Sequence, residues 1–119
     1  MSELHDTLRT DLTTAMRARD TDRVRVLRTV LAAIANAEAQ PAADAGPVSA
    51  RTSGPIAGAV SGLGATETDR RDLSEDEVRA IVRAEHDERI DAAGALPAQA
   101  AAQADVLRAE AALLAEYLS

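Results

Sequence analysis

The sequence predicts an all-α protein of four helices, arranged as two antiparallel helix hairpins in a four-helix bundle-like domain. Three observations lead to this fold class. Apolar residues recur at spacings of three and four in four stretches, two in the N-terminal part of the chain and two in the C-terminal part. A segment rich in Gly and Pro separates the two pairs of stretches. The apolar residues are almost all Leu, Val, Ile and Ala, which suit closely packed helices. At 119 residues the chain has the length of a single domain, which we place at 1–119.

The first helix is predicted over about 3–19. Ser2 is the expected N-cap, and acidic residues in the first turn suit the positive end of the helix dipole. Its apolar stripe consists of Leu4, Leu8, Leu12, Ala15 and Met16.

The second helix is predicted over 21–39, with either Asp20 or Thr21 as its cap. Its apolar stripe contains Val24, Leu27, Leu31 and Ile34, and Val26 and Val30 widen it. The connection to the first helix is so short that the two helices should pack as an antiparallel hairpin.

The segment 41–72 holds three of the four Pro and five of the six Gly residues and shows no helical or alternating period. A loop of this length is unusual inside a domain, so it is either a mobile insertion or a functional lid. Its composition, without concentrated charge or an aromatic anchor, favours the mobile insertion between helices 2 and 3.

The third helix is predicted over 75–93 and the fourth over 97–118. Ser74 and Glu77 have the spacing of a capping box, and Pro97 suits the first turn of the fourth helix. Glu85 stands four residues before Arg89, which predicts an ion pair at the edge of the core. The shared aliphatic core is predicted around Leu27, Leu31, Ile34, Val78, Ile81, Val82, Leu107 and Leu114.

Composition excludes several kinds of site. The chain has no Cys, Trp or Phe and one Tyr, which rules out disulfides, thiolate metal sites and extensive stacking on bases. His86, in an acidic run, has no second His at ligand spacing, so that run is expected to be a solvated face. We predict no metal, no cofactor and no catalytic residue. Without an apolar run long enough to span a membrane, and with an acidic N-terminus, the protein is expected to be cytoplasmic.

Four arginines cluster where the first predicted hairpin turns: Arg19, Arg23, Arg25 and Arg28. Guanidinium groups match phosphate oxygens, so the cluster is a candidate phosphate-binding patch. The alternative is a surface of ion pairs with Asp20, Asp22 and Glu38. The net charge of −7, concentrated in 73–119, does not by itself imply a nucleic-acid partner, and the sequence favours the ion-paired surface.

The chain resembles the GatB/YqeY family. The resemblance covers about 3–40 and 73–118 and rests on matching residues at the first hairpin, the start of the third helix and the closing turn. These residues are Leu8, Asp11, Ala15, Met16, Arg19, Asp20, Arg23, Leu27, Arg28, Glu38, Leu73 to Glu77, Glu110, Leu114 and Glu116 to Leu118. We expect the chain to lack the second, smaller helical domain of that family.

The resemblance implies an all-α accessory domain related to the tail region of the GatB subunit of tRNA-dependent amidotransferases, which are carbon–nitrogen ligases with glutamine as the nitrogen donor. Catalysis in those enzymes lies elsewhere, so the expected partner is tRNA or a tRNA-handling protein. By motif match, the resemblance implies that the polar residues in contact with the partner are Arg19, Arg23, Arg28, Glu85 and Arg89. The alternative is a protein-binding or homo-oligomerising helical module without an RNA role.

Overall fold

A computed structural model describes residues 2–40 and 71–119 of the chain. Within these ranges the protein is all-helical, with four α-helices and no strand. The helices are α1 (Glu3–Ala18), α2 (Thr21–Ala39), α3 (Glu75–Ala95) and α4 (Ala101–Ala115), and a 3₁₀ helix (Ala98–Ala100) precedes α4. The predicted insertion 41–72 lies outside the described residues except for Arg71 and Asp72.

The N-terminal ends of α1, α2 and α3 follow the capping residues in the sequence. Ser2 and Asp20 accept hydrogen bonds from the backbone N–H groups of His5 and Arg23, so Asp20 rather than Thr21 caps α2. At α3, Ser74 Oγ accepts from the Glu77 N–H at 3.1 Å and Glu77 Oε1 accepts from the Ser74 N–H at 2.9 Å. The predicted capping box is therefore present.

The prediction for α4 was wrong at its start. Pro97 has extended backbone angles and precedes the 3₁₀ helix instead of lying in the first turn of an α-helix. The α-helix begins only at Ala101, after the 3₁₀ turn, and its N-cap, Ala100, makes no capping hydrogen bond through its side chain. At the other end, Glu116, Tyr117 and Leu118 continue as a turn with i→i−3 hydrogen bonds. The third helix runs two residues beyond its predicted end, through Gly94 to Ala95.

The helices pack most extensively as the consecutive pairs α1–α2 and α3–α4, and α3 also contacts both members of the first pair. The buried aliphatic cluster contains Leu4, Leu8, Val26, Leu27, Val30, Ile34, Leu73, Val78, Val82 and Leu114. Five of the eight predicted core residues belong to it. Leu31 and Ile81 are partly buried at its margin.

Two sequence predictions about packing were wrong. Leu107 is partly exposed and lies outside the cluster, beside Leu96 and Val106. Met16, placed on the stripe of the first helix, is 49% exposed because α1 buries the line of Leu8 and Ala15, and the residue after Ala15 lies about 100° further around the helix.

Two contacts join the ends of the described segments. The Glu75 carboxylate accepts from Ser2 Oγ at 2.6 Å and from the Leu4 N–H at 3.1 Å, so α3 completes the N-terminal cap of α1. The hydrogen bond from Ser2, followed by that from Leu4, lowers the pKa of Glu75. Across the insertion, the Arg71 N–H donates to the Glu38 carbonyl at 2.8 Å. Among the described residues, no helix has the length and apolarity needed to cross a membrane.

Candidate partner-binding groove

The turn between α1 and α2 forms an open groove with a volume of about 690 Å³. Its walls come from the last turn of α1, the turn itself and the first half of α2. The lining residues are Met16, Arg19, Thr21, Val24, Arg25, Arg28 and Thr29. We call this the α1–α2 groove. It combines an apolar floor with three guanidinium groups, and so it suits a partner that is both anionic and partly apolar.

Arg19 owes its position to the end of α1. It is the C-cap and adopts the left-handed conformation (φ 60°, ψ 33°), the one positive φ found at a non-glycine position in the described parts of the chain. Left-handed backbone commonly ends helices, although it is less favourable for a residue with a Cβ. Only Arg19 and Asp20 separate α1 from α2, and this tight turn places Arg19 among the residues that line the same groove as Arg28.

Arg19 and Arg28 differ from the other candidate arginines in their charged neighbours. Over 2–40 and 71–119, no carboxylate lies within 4.0 Å of either guanidinium group, and neither side chain has a hydrogen-bond partner. The groove therefore presents two positive charges that the described residues do not pair with a carboxylate.

Arg23 joins the C-terminal turn and is not among the residues that line the α1–α2 groove. Its guanidinium lies 3.7 Å from Asp20, 3.7 Å from Glu116 and 3.5 Å from the hydroxyl of Tyr117. That hydroxyl donates to Asp11 at 2.6 Å. Arg23 is thus one member of a polar contact between α1, α2 and the C-terminal turn, and its predicted role in partner binding is not favoured by this geometry.

The Tyr117–Asp11 contact was not predicted, although both residues carried the family resemblance. Burial, and then the hydrogen bond to Asp11, raise the pKa of Tyr117 to about 12. The signal in the sequence was that the single aromatic residue of the chain lies near the end of the predicted fourth helix, 97–118. Since Asp11 and Tyr117 are 106 residues apart, spacing alone could not pair them.

Arg25 and Arg89 meet at one carboxylate. Glu110 Oε2 accepts from Arg25 Nη2 at 3.0 Å and from Arg25 Nε at 3.3 Å, while Glu110 Oε1 accepts from Arg89 Nε at 3.0 Å. Asp22 also accepts from Arg25 at 3.2 Å. The hydrogen bond to Glu110 is the largest cause of the raised pKa of Arg25. Arg25 belongs both to the α1–α2 groove and to this contact between α2, α3 and α4.

Arg89 lies on α3, away from the residues that line the α1–α2 groove. The predicted ion pair with Glu85 is present, with a distance of 2.9 Å between Arg89 Nη1 and Glu85 Oε1. Both side chains are mostly buried, at 12% and 18% exposed. Arg89 is therefore a bridge inside the helix packing, and this position does not support the binding role predicted for it.

The predicted structural polar residues Ser74, Glu77, Glu85 and Glu38 have different partners. Glu77 pairs with Arg71 at 2.6 Å in addition to its capping contact with Ser74. The suggested pairing of Glu38 with the arginine cluster was wrong, because Glu38 lies in the last turn of α2, far along the helix from that cluster. Its carboxylate is instead 3.9 Å from His5 of α1.

The described parts of the chain contain no cluster of metal-ligating side chains. Among those residues, no three His, Cys, Asp or Glu side chains are placed to hold a metal ion. His86 contacts its neighbour Asp87 at 2.9 Å, on an exposed surface of α3. The arrangement consists of ion pairs that connect helices and a groove that contains two arginines outside those pairs.

Comparisons of the chain with protein-family models, with curated proteins and with solved structures find no match.

Proposed function

We propose that the protein is a non-catalytic accessory module that binds tRNA through the α1–α2 groove. The observation that supports this function is a contrast among the arginines. Arg23, Arg25 and Arg89 are held by carboxylates, whereas no carboxylate within 2–40 and 71–119 holds Arg19 or Arg28. A guanidinium group presents forked N–H donors that match two phosphate oxygens. Two such groups in one groove suit neighbouring phosphates of a nucleic-acid backbone.

Local charge also supports this surface. Arg9, Arg17 and Arg83 likewise have no carboxylate within 4.0 Å among residues 2–40 and 71–119, but they do not line the α1–α2 groove. The net charge of the chain is −7, so RNA would be repelled from most of its surface, and binding would depend on where positive charge is locally uncompensated. Arg19 and Arg28 provide that condition at the turn between α1 and α2. About two phosphate contacts would give weak binding with a shallow but measurable salt dependence.

The resemblance to the GatB/YqeY family supports the same proposal, since two of its matching positions are Arg19 and Arg28. We therefore infer a relationship to the tail region of the GatB subunit of tRNA-dependent amidotransferases, with tRNA or a tRNA-handling protein as partner. In this proposal the chain forms one domain of two antiparallel hairpins in a four-helix bundle. It acts in the cytoplasm, where tRNA is charged.

The test is a titration of fluorescently labelled, unfractionated tRNA with the protein over a salt series. An Arg19→Gln/Arg28→Gln variant should lose most of the affinity and most of the salt dependence. The matched control is Arg79→Gln/Arg83→Gln, which removes two positive charges from α3 outside the groove. Loss of binding in the first variant but not in the control supports the proposal. Equal binding by all three proteins, or none by the wild type at about 50 mM salt where phosphate contacts are strong, overturns it.

A protein-binding module is the second candidate, and the exposed apolar floor of the groove favours it. Met16 is 49% exposed, and Val24 beside it is partly exposed, which is the composition of a small helix-docking surface.

Met16→Gln separates this role from RNA binding, because it leaves the arginines in place. Sedimentation at increasing protein concentration tests the homo-oligomeric form. Self-association that Met16→Gln abolishes supports the homo-oligomeric form, and a monomer at every protein concentration contradicts that form.

A further inference from the structure

The Arg25–Glu110 contact places a carboxylate directly on one of the three arginines of the α1–α2 groove. Arg25 is 53% exposed, so a ligand in the groove could reach its guanidinium group. Glu110 is only 13% exposed and accepts from Arg25 through both Nε and Nη2. These are the same donors that a guanidinium group uses to bind phosphate.

Glu110 cannot easily move away from this position. Its second oxygen accepts from Arg89 Nε at 3.0 Å, and Arg89 is itself 12% exposed and held by Glu85 at 2.9 Å. The carboxylate is therefore fixed from the α3 side, while Arg25 is the exposed and adjustable member of the pair. Rearrangement of the contact would consequently move Arg25 and leave Glu110 in place.

We propose that Glu110 is a built-in competitor for phosphate, which occupies the donors of Arg25 until an anionic partner displaces it. This inference rests on the proposed binding function of the groove. In the free protein the groove offers Arg19 and Arg28. In the bound protein Arg25 exchanges the Glu110 carboxylate for a phosphate of the partner and becomes a third contact. Glu110 thereby lowers the affinity of the groove for phosphates in general.

The first test compares Glu110→Gln with the wild type in the titration of labelled tRNA over a salt series. The substituted amide keeps an acceptor for Arg89 but removes the negative charge facing Arg25. The variant should bind roughly tenfold more tightly, the factor of one charge-assisted hydrogen bond, because Arg25 no longer gives up a carboxylate on binding. Its salt dependence should stay close to that of the wild type, because both complexes contain the same phosphate contacts. The control is Asp105→Asn, which removes one negative charge from the same helix, where Asp105 faces Arg108 at 3.7 Å.

A double-mutant cycle attributes the gain to Arg25. Arg25→Gln should weaken binding much more in the Glu110→Gln background than in the wild type, since in the wild type the gain from the Arg25–phosphate contact is offset by the loss of the Arg25–Glu110 contact. Equal effects in both backgrounds would show that Glu110 does not compete for Arg25. The Arg19→Gln/Arg28→Gln variant separates the two proposals. If it binds like the wild type, the function of the groove is wrong; if it loses binding while Glu110→Gln is no tighter than Asp105→Asn, only the competitor role is wrong.

The exchange at Arg25 can also be tested on the wild-type protein, so that the test does not require Glu110→Gln to fold. The arginine Nε–H resonances in nitrogen–proton correlation spectra report the two donors that flank Glu110. On addition of tRNA, the Arg25 resonance should shift strongly because it changes acceptor, and the Arg89 resonance should stay in place. A shift of the Arg28 resonance with no change at Arg25 would overturn the exchange.

Discussion

Tyr117 illustrates how single side chains hold the four helices together. Its hydroxyl donates to Asp11 of α1 and accepts from Arg23 of α2, so the C-terminal turn contacts both of the first two helices. Ionisation of the phenol would remove the donated hydrogen and place two negative charges 2.6 Å apart. Together with burial, this explains why the neutral form is favoured.

The raised pKa of Tyr117 predicts a loss of stability at high pH. The unfolded chain should ionise near pH 10.0 and the folded chain near pH 12, so the stabilisation is complete below pH 10.0 and declines as pH rises toward 12. The chain has no Cys, no Lys and one Tyr, so no other side chain is expected to titrate in that interval. Urea denaturation over this range measures the decline, which Tyr117→Phe should abolish. A phenolate absorbance change centred near pH 10.0 in the folded protein would contradict the prediction.

At the scale of the element, α2 shows that a wide apolar face does not determine which of its residues are buried. The sequence predicted a stripe through Val24, Leu27, Leu31 and Ile34, widened by Val26 and Val30. Within this face the fully buried positions are Val26, Leu27, Val30 and Ile34. Both sets have helical spacing, so periodicity cannot separate them. Contacts with α1, α3 and α4 select the second set and leave Val24 at the floor of the α1–α2 groove.

Two valine-to-alanine substitutions on α2 test which face of the helix is buried. Val30→Ala removes a fully buried side chain and should lower the free energy of unfolding by about 2 kcal/mol, through lost burial and an unfilled space. Val24→Ala, on the same helix but partly exposed, should cost less than about 1 kcal/mol. Both are measured by urea denaturation at neutral pH. Equal losses, or a larger loss at Val24, would show that the stripe of the sequence prediction is the buried one.

At the scale of the whole molecule, the segments 2–40 and 71–119 contact each other next to the two ends of the predicted insertion. The Arg71 N–H lies 2.8 Å from the Glu38 carbonyl, and Leu73, immediately after the return, is buried in the aliphatic cluster. Glu75 then contacts Ser2 and Leu4 at the start of α1. The two segments are therefore anchored to each other next to the insertion by contacts made outside it.

This proximity predicts that residues 41–70 can be replaced by a linker of about six Gly and Ser residues. Because the cost of closing a loop rises by about 0.6 kcal/mol for each doubling of its length, the shorter chain should be more stable by about 1 kcal/mol. Urea denaturation measures the change, and the tRNA titration of the same protein shows whether binding is retained. A marked loss of stability would mean that the replaced residues contribute to packing, and a loss of binding alone would favour the functional lid.

Sequence reasoning was sufficient for the helical class, for the positions of α1, α2 and α3 and for the caps of α1 and α3, because these depend on interactions within one or two turns; for α2 it left Asp20 and Thr21 as alternatives. The capping box of Ser74 and Glu77 and the Glu85–Arg89 pair are examples, since spacings of three and four residues bring side chains together on any helix.

The packing of the helices determines which arginines have a carboxylate partner. The spacing of residues in the sequence does not predict it. Arg25 and Arg23 find partners 85 and 94 residues away, and these partners meet only because α2 packs beside α4 and the C-terminal turn. Arg19 and Arg28 find no such carboxylate among residues 2–40 and 71–119, and they define the candidate site. Long-range contacts of this kind have no periodic signature in the chain, which is why the sequence could place an arginine cluster at the turn of the first hairpin but could not identify which of its members are paired.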